Sequence, residues 1–194
     1  MSRTIGIVLF NDAEELDWAA PWEVLTAGAK DGDRVITVAE STGPIRCAKG
    51  LRVLADHTFD DSPDLDVIVV PGGWGTRAER VNTAMTGYVI EQAQHAEWTT
   101  SVCTGAFILQ AAGLLEGKRA TTHWAAFDEF LGFAPDQELD RDARWVVDGN
   151  VVTAAGVSAG IDMALWLVGQ LYDVDHAKAT QRYIQYDPAP PYQD

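Results

Sequence analysis

A predicted strand meets a predicted helix in the sequence SVCTGA, residues 101–106. Residues 99–102 are typical of a buried strand, and residues 104–114 are apolar at helical spacing. Because no residues remain for a loop, Cys103 is predicted to lie at a sharp turn that projects its side chain outward and strains its backbone. The thiol of Cys103 is therefore a candidate nucleophile.

Strand-like apolar runs alternate with helical patterns along the rest of the chain. The predicted strands are residues 4–10, 34–40, 66–70, 99–102, 119–122 and two short strands within 145–153. The predicted helices are residues 18–29, one or two ending near residue 96, 104–114, 158–172 and 175–186, and a small hairpin lies within 41–58. This alternation predicts an α/β fold in which helices sandwich a mostly parallel sheet, with residues 1–194 forming a single domain.

Three features are predicted to meet at one edge of this sheet. In open sheets of this type the ligand lies beyond the carboxyl ends of the strands. Cys103, the acidic loop that contains Asp17, and the turn PGGWG at residues 71–75 all follow predicted strands. Gly72 and Gly73 would let backbone N–H groups approach a ligand closely, as an oxyanion pocket requires, and Trp74 would form an apolar wall.

Each candidate side chain also has a purely structural interpretation. A helix N-terminus favours a thiolate, so we expect a lowered pKa for Cys103, but an inert cysteine in an apolar core is the alternative. Asp17 is either the N-cap of the helix 18–29 or a buried carboxyl with a raised pKa whose proton bonds to the sulfur. His123, at the end of another predicted strand, forms a Cys/His pair or bonds to the backbone.

The composition excludes several classes of partner. The net charge of −15 would repel phosphate, so nucleic acid and anionic membranes are poor partners. No apolar stretch reaches membrane-spanning length. Cys47 and Cys103 have no second ligand at a zinc-site spacing, and the apolar run at residues 4–10 is too short for a signal peptide. We therefore expect a cytoplasmic protein with reduced thiols and no bound metal.

Five short motifs, in order along the chain, resemble the ThiJ/PfpI superfamily. They are ELD at 15–17, PGG at 71–73, SVCTG at 101–105, RATTHW at 119–124 and AGID at 159–162. With the APP tail they are most similar to isonitrile hydratases. The resemblance implies a flavodoxin-like fold shared with class I glutamine amidotransferases, a small-molecule substrate, a homodimer and no organic cofactor.

The resemblance also implies roles for individual residues. Cys103 would be the nucleophile, Asp17 its acidic partner, and the Thr104 hydroxyl would place substrate or water. The backbone N–H groups of Gly73 and Thr104 would line the pocket, and we include Gly72, Trp74 and His123 as substrate-binding candidates.

Departures from the superfamily pattern narrow the function. Thr104 stands where the related peptidases carry His, and the only His-x-Glu sequence, at His95, precedes Cys103, unlike in the amidotransferases. Because the sequence ends at Asp194, we expect no helix-turn-helix of the kind that related regulators carry after this domain. The first hypothesis is hydration of isonitriles to N-substituted formamides through a cysteine thioimidate. The alternatives are a glyoxalase or deglycase activity on methylglyoxal or glycated groups, and a non-enzymatic cysteine redox sensor.

Overall fold

The computed structural model describes residues 2–192, so both ends of the predicted domain 1–194 lie outside the described residues. The strands are β1 (Thr4–Leu9), β2 (Arg34–Ala39), β3 (Ile45–Arg46), β4 (Arg52–Val53), β5 (His57–Thr58), β6 (Val67–Val70), β7 (Trp98–Val102), β8 (Arg119–Ala120), β9 (Glu138–Leu139), β10 (Trp145–Asp148) and β11 (Val151–Ala154). The helices are α1 (Glu15–Gly28), α2 (Thr76–Glu79), α3 (Thr83–Ala93), α4 (Gly105–Ala111), α5 (Phe127–Phe133), α6 (Ala159–Leu171) and α7 (Val174–Tyr183).

The central sheet has seven strands in the order β10-β11-β7-β6-β1-β2-β5. Only β10 is antiparallel to its neighbour, and all the other pairs are parallel. Helices pack on both faces because side chains along a strand alternate between them. The predicted α/β fold with a mostly parallel sheet is therefore confirmed.

The first strand shows how one sequence supplies two cores. Ile5 and Ile7 pack with residues of α1 and α6, whereas Val8, on the opposite face, packs with residues of α3, α4 and α5. All three side chains are fully buried. A strand covered on both faces reads as a nearly continuous apolar run, which is the pattern that predicted this sheet.

Several local predictions need correction. The first helix begins at Glu15, not at residue 18, because Glu14 is the extended residue at its start. The predicted strand 119–122 shortens to β8, which pairs with β9 outside the central sheet. The sequence analysis also missed α5, a seven-residue helix stabilised by burial of Phe127 and Phe130. None of the described helices is both long and apolar enough to cross a membrane.

The close approach of α4 to β6 depends on Gly105. A Cβ atom there would lie 2.1 Å from the carbonyl oxygen of Val70 and 2.9 Å from that of Pro71, and both are backbone atoms, which move less easily than the end of a side chain. Gly87 is the matched contrast, because it lies in α3 with nothing within 4 Å of its would-be Cβ.

We expect the same substitution to have opposite effects at these two glycines. Gly105→Ala should lower the free energy of unfolding by about 1–3 kcal/mol through overpacking. Gly87→Ala should raise it by about 0.5–1 kcal/mol, because alanine has less conformational freedom to lose in a helix. Urea unfolding measures both effects, and equal midpoints for the two variants would contradict this account.

Candidate active site

Cys103 lies between the last residue of β7 and the first residue of α4. Its φ of 58° is in the left-handed region, which costs a non-glycine residue about 1–3 kcal/mol. The neighbouring strand holds this conformation, because the Cys103 N–H donates to the carbonyl oxygens of Ala154 and Ala155, each at 3.0 Å. The hydroxyl of Thr122 donates to the Cys103 carbonyl at 2.8 Å. The strained turn thus stands where SVCTGA predicts it.

Asp17 is a fully buried carboxyl beside the Cys103 thiol. It lies in the first turn of α1, so the N-cap interpretation is wrong and Glu14 occupies that position. The Gly72 N–H donates to Asp17 Oδ2 at 3.0 Å. Within residues 2–192, Asp17 Oδ1 is buried without a hydrogen-bond partner, and the neighbouring Cys103 side chain lowers the pKa of the carboxyl. Burial is the main cause that raises the pKa of Asp17 to about 7, whereas the Gly72 N–H opposes this shift.

The pKa of the Cys103 thiol is raised to about 12, in contrast to the lowered value expected from sequence. Burial is the largest cause, and the adjacent Asp17 charge adds to it. The backbone N–H groups of Thr104 and Val157 face the sulfur and oppose the shift, but they do not cancel it. The sequence argument counted the helix terminus and omitted desolvation. Cys103 and Asp17 therefore form a coupled pair whose resting form keeps the proton on sulfur.

Thr104 is tied to the Gly73 peptide. The Gly73 N–H donates to Thr104 Oγ1 at 3.0 Å, and the Thr104 hydroxyl lies 3.1 Å from the Gly73 carbonyl oxygen. The buried hydroxyl of Thr76 lies within hydrogen-bond distance of Thr104 Oγ1, at 3.1 Å, and of the Gly73 carbonyl oxygen, at 2.8 Å. The Gly73 N–H predicted to face a ligand is therefore already occupied, and Thr104 positions this turn.

Gly72 also differs from its predicted role. Its N–H is directed at Asp17 and not at a ligand. A Cβ atom at Gly72 would lie 2.5 Å from the Thr104 nitrogen and 2.8 Å from both Asp17 Oδ2 and Cys103 Cβ. The glycine is needed because three parts of the site converge on it.

A cavity of about 220 Å³ borders Cys103. The residues around it are Glu14, Gly73, Trp74, Arg77, Cys103, Thr104, His123, Ala125, Ala126, Glu129 and Val157. Cys103 is 7% exposed, and the cavity beside it is a route by which a small reagent could reach its sulfur. Trp74 lies at the rim, as predicted for a wall, but its side chain is 74% exposed.

His123 borders the cavity without pairing with the thiol. Its Nδ1 accepts a hydrogen bond from the Ala125 N–H at 3.3 Å, and no bond to Cys103 is present in the described chain. Its pKa is lowered, mainly by burial, so the ring is neutral. The backbone-bonded alternative for His123 is therefore the better description.

Sequence reasoning missed four lining residues that bear on the chemistry. Val157 has a left-handed φ of 43° that turns its N–H toward the sulfur, and its position between Gly156 and a helix start was the available signal. Glu14, Arg77 and Glu129 come from separate segments, and no local pattern connects them. Within residues 2–192, no three His, Cys, Asp or Glu side chains are grouped to share a metal ion.

Comparisons with known proteins agree with this architecture. The model of the DJ-1/PfpI family matches residues 3–170. An isonitrile hydratase of Pseudomonas putida is 42% identical over 99% of this chain and 82% of its own length. A glutathione-independent glyoxalase of Caenorhabditis elegans is 28% identical over 82% of this chain and 83% of its own. A ThiJ/PfpI family protein of Pseudomonas syringae superposes with a TM-score of 0.91 at 34% identity, over 99% of this chain and 78% of its own.

The raised pKa of Asp17 predicts a pH-dependent stability. Between its ordinary pKa of 3.8 and about 7, the folded carboxyl keeps a proton that the unfolded one releases, so stability falls as pH rises through this window. Asp17→Asn removes this pH-dependent loss of stability. We therefore expect the free energy of unfolding of the variant, relative to that of the wild type, to rise by about 2–4 kcal/mol from pH 4 to pH 8. Urea unfolding across this range measures the difference.

The matched control is Asp128→Asn, because the side chain of Asp128 is 94% exposed. Its effect should stay within about 0.5 kcal/mol of wild type at every pH. A flat difference for Asp17→Asn would show that the carboxyl is ionised in the folded protein throughout this range.

Proposed function

The chain belongs to the DJ-1/PfpI family, and from this premise we propose that it is an isonitrile hydratase. The product is an N-substituted formamide, formed through a covalent adduct on Cys103. The observation that carries the proposal is the buried Asp17 carboxyl, with a pKa of about 7, against a thiol that borders a small cavity. The 42% identity to a protein of this name supports the choice of substrate.

The first step joins the Cys103 sulfur to the terminal carbon of R–N≡C. The ionised form of Asp17 accepts the thiol proton as the S–C bond forms, and it then gives that proton to the same carbon. The product of this step is the thioimidate R–N=CH–S–Cys103. A general acid and base works best with a pKa near the working pH, which is the value that burial gives Asp17.

The second step consumes one water molecule. Water adds to the thioimidate carbon, one of its two protons passes to the nitrogen and the other to the sulfur, and the C–S bond breaks to give R–NH–CHO and the Cys103 thiol. Asp17, again ionised after the first step, accepts a proton from the water and returns one to the sulfur. The N–H groups of Thr104 and Val157 stabilise the sulfur anion as it forms and as it leaves.

Thr104 acts in this scheme as a positioning residue. Its hydroxyl holds both the N–H and the carbonyl of Gly73, and its own N–H faces the sulfur. Loss of the hydroxyl would release the turn on which Gly72 supports Asp17.

The glyoxalase and redox-sensor hypotheses receive less support. The glyoxalase hypothesis rests on a relative with 28% identity, and it lacks a histidine bonded to the sulfur in the described chain. A redox-sensing thiol is typically exposed and of low pKa, whereas Cys103 is buried and its pKa is raised. Lactate formation from methylglyoxal, assayed beside formamide formation, decides between the two enzymatic candidates.

The proposal retains the predicted cytoplasmic homodimer. Cys47 and Cys103 are both free thiols, which is compatible with a reducing compartment. Light scattering on the purified protein should give about twice the chain mass of 21.1 kDa. A mass equal to that of one chain would remove the dimer from the proposal.

Substitutions at the reacting pair test the mechanism. Cys103→Ala should abolish formamide formation, whereas Cys47→Ala should retain it, because Cys47 is a buried free thiol that does not border the cavity. Asp17→Asn should lower kcat by about 10²- to 10⁴-fold through loss of proton transfer. Mass spectrometry of the wild type should show a thioimidate adduct on Cys103. Turnover by Cys103→Ala would overturn the mechanism.

Thr104 is tested with a pair of variants. Thr104→Val removes the hydroxyl while keeping the shape, and we expect kcat to fall by about tenfold or more, since one misplaced group near the chemistry has effects of this size. Thr104→Ser keeps the hydroxyl and should recover most of the rate. Equal rates for the two variants would remove the positioning role.

A further inference from the structure

The cavity beside Cys103 contains charged side chains that are already paired. Arg77 and Glu129 form a two-point ion pair, with Nε to Oε1 at 2.9 Å and Nη2 to Oε2 at 2.5 Å. Glu14, also a lining residue, is paired with Lys49 at 2.6 Å. His123 is neutral. An entering molecule therefore meets charges that are balanced in contact pairs.

Arg77 is held in one orientation. Its guanidinium lies over the ring of Trp74 at 4.7 Å and over that of Phe107 at 5.0 Å. Nη1 donates to the Gly73 carbonyl oxygen at 3.1 Å. A fixed guanidinium fork is the geometry that binds a carboxylate at two points. In this protein both positions of the guanidinium fork are already bound by the carboxylate of Glu129.

We propose that Glu129 is a specificity-determining residue that occupies Arg77 and so restricts the cavity to uncharged electrophiles. A carboxylate-bearing molecule would have to displace Glu129 or lie beside its charge. The net charge of −15 adds a repulsive potential for anions. The identity of the substrate class rests on the proposed function. On that basis, we infer that uncharged isonitriles are the substrates that are turned over.

The apolar part of the lining agrees with this class. Ala125, Ala126 and Val157 offer no charge to a substituent, and the Trp74 ring covers the rim. An alkyl or aryl R group would contact these side chains while the isonitrile carbon reaches the sulfur. A carboxylate on R would find no unpaired cation among the lining side chains.

Alkylation of Cys103 tests the charge selection without any isonitrile chemistry. Iodoacetamide and iodoacetate are similar in size, and both alkylate the thiolate through their CH2 group with loss of iodide. Only iodoacetate is an anion. The quantity to measure is the ratio of their rate constants at Cys103, followed by peptide mass spectrometry and divided by the same ratio for 2-mercaptoethanol. For the wild type we expect a normalised ratio of about five or more in favour of iodoacetamide.

Two variants should move this ratio in opposite directions. Glu129→Gln leaves Arg77 free to bind a carboxylate and should lower the ratio about fivefold or more. Arg77→Gln leaves Glu129 unpaired and should raise it. Because each variant is compared with itself for two reagents, a general loss of Cys103 reactivity cancels. Circular dichroism confirms that each variant is folded, and either variant alone suffices for the test.

The remote ion pair Arg3–Glu97 supplies matched controls. Glu97 immediately precedes β7 and Cys103 immediately follows it, so the two are separated by the length of the strand, about 17 Å. Glu97→Gln and Arg3→Gln make the same changes in net charge as the two test variants and should leave the ratio unchanged. The proposal fails if the wild-type ratio is near one, or if Glu129→Gln moves it no more than Glu97→Gln does.

A second pair of reagents separates this inference from the proposed function. Isocyanoacetate and its methyl ester differ in charge at the same position, and kcat/KM for the ester should exceed that for the anion in the wild type. Glu129→Gln should narrow that gap. Selective alkylation without isonitrile turnover would leave the charge selection standing and remove isonitriles as substrates. Isonitrile turnover without selective alkylation would leave isonitriles as the substrates and remove the charge selection.

Discussion

The buried Asp17 carboxyl lies beside the Cys103 thiol, and the other contacts of this site serve to hold these two groups together. A carboxyl without water around it holds its proton to about pH 7, and the thiol beside it resists ionisation because a second negative charge would be costly. Between these two pKa values the single proton of the pair therefore rests on the sulfur, and the ionised Asp17 carboxylate beside it is the group that can accept it. Chemistry that adds a proton and a sulfur to the same carbon needs such an arrangement.

Holding these two groups together requires close backbone approaches and local strain. Gly72 lies where Asp17, Cys103 and Thr104 converge, and Gly105 lets α4 begin against the carbonyl oxygen of Val70. The left-handed conformation of Cys103 is held by two carbonyl groups of the neighbouring strand β11 and the segment that follows it. Sheet hydrogen bonds thus compensate for the strain at Cys103, and the fold and the candidate site share the same contacts.

The charges at the mouth of the cavity are arranged differently from those in its interior. Inside, burial raises the pKa of both the carboxyl and the thiol. At the mouth, each charged lining side chain has an opposite partner, as in Arg77–Glu129 and Glu14–Lys49. An acidic protein can in this way present a nearly neutral entrance to the thiol, and under the proposed function such an entrance would favour small uncharged substrates over anions.

The α/β fold and the strained turn at Cys103 could be predicted from the sequence, because they depend on local periodicity and on short motifs, whereas the role of Asp17 as an acidic partner was implied only by the family resemblance. Three further features became visible in the folded structure alone: Asp17 lies inside α1, the N–H groups of Gly72 and Gly73 are occupied, and the pKa of Cys103 is raised. They could not be predicted because they depend on groups that are distant along the chain. Desolvation and pairing come from residues far apart in sequence, 55 positions for Gly72 and Asp17 and 52 for Arg77 and Glu129, and no local pattern encodes which of them will meet.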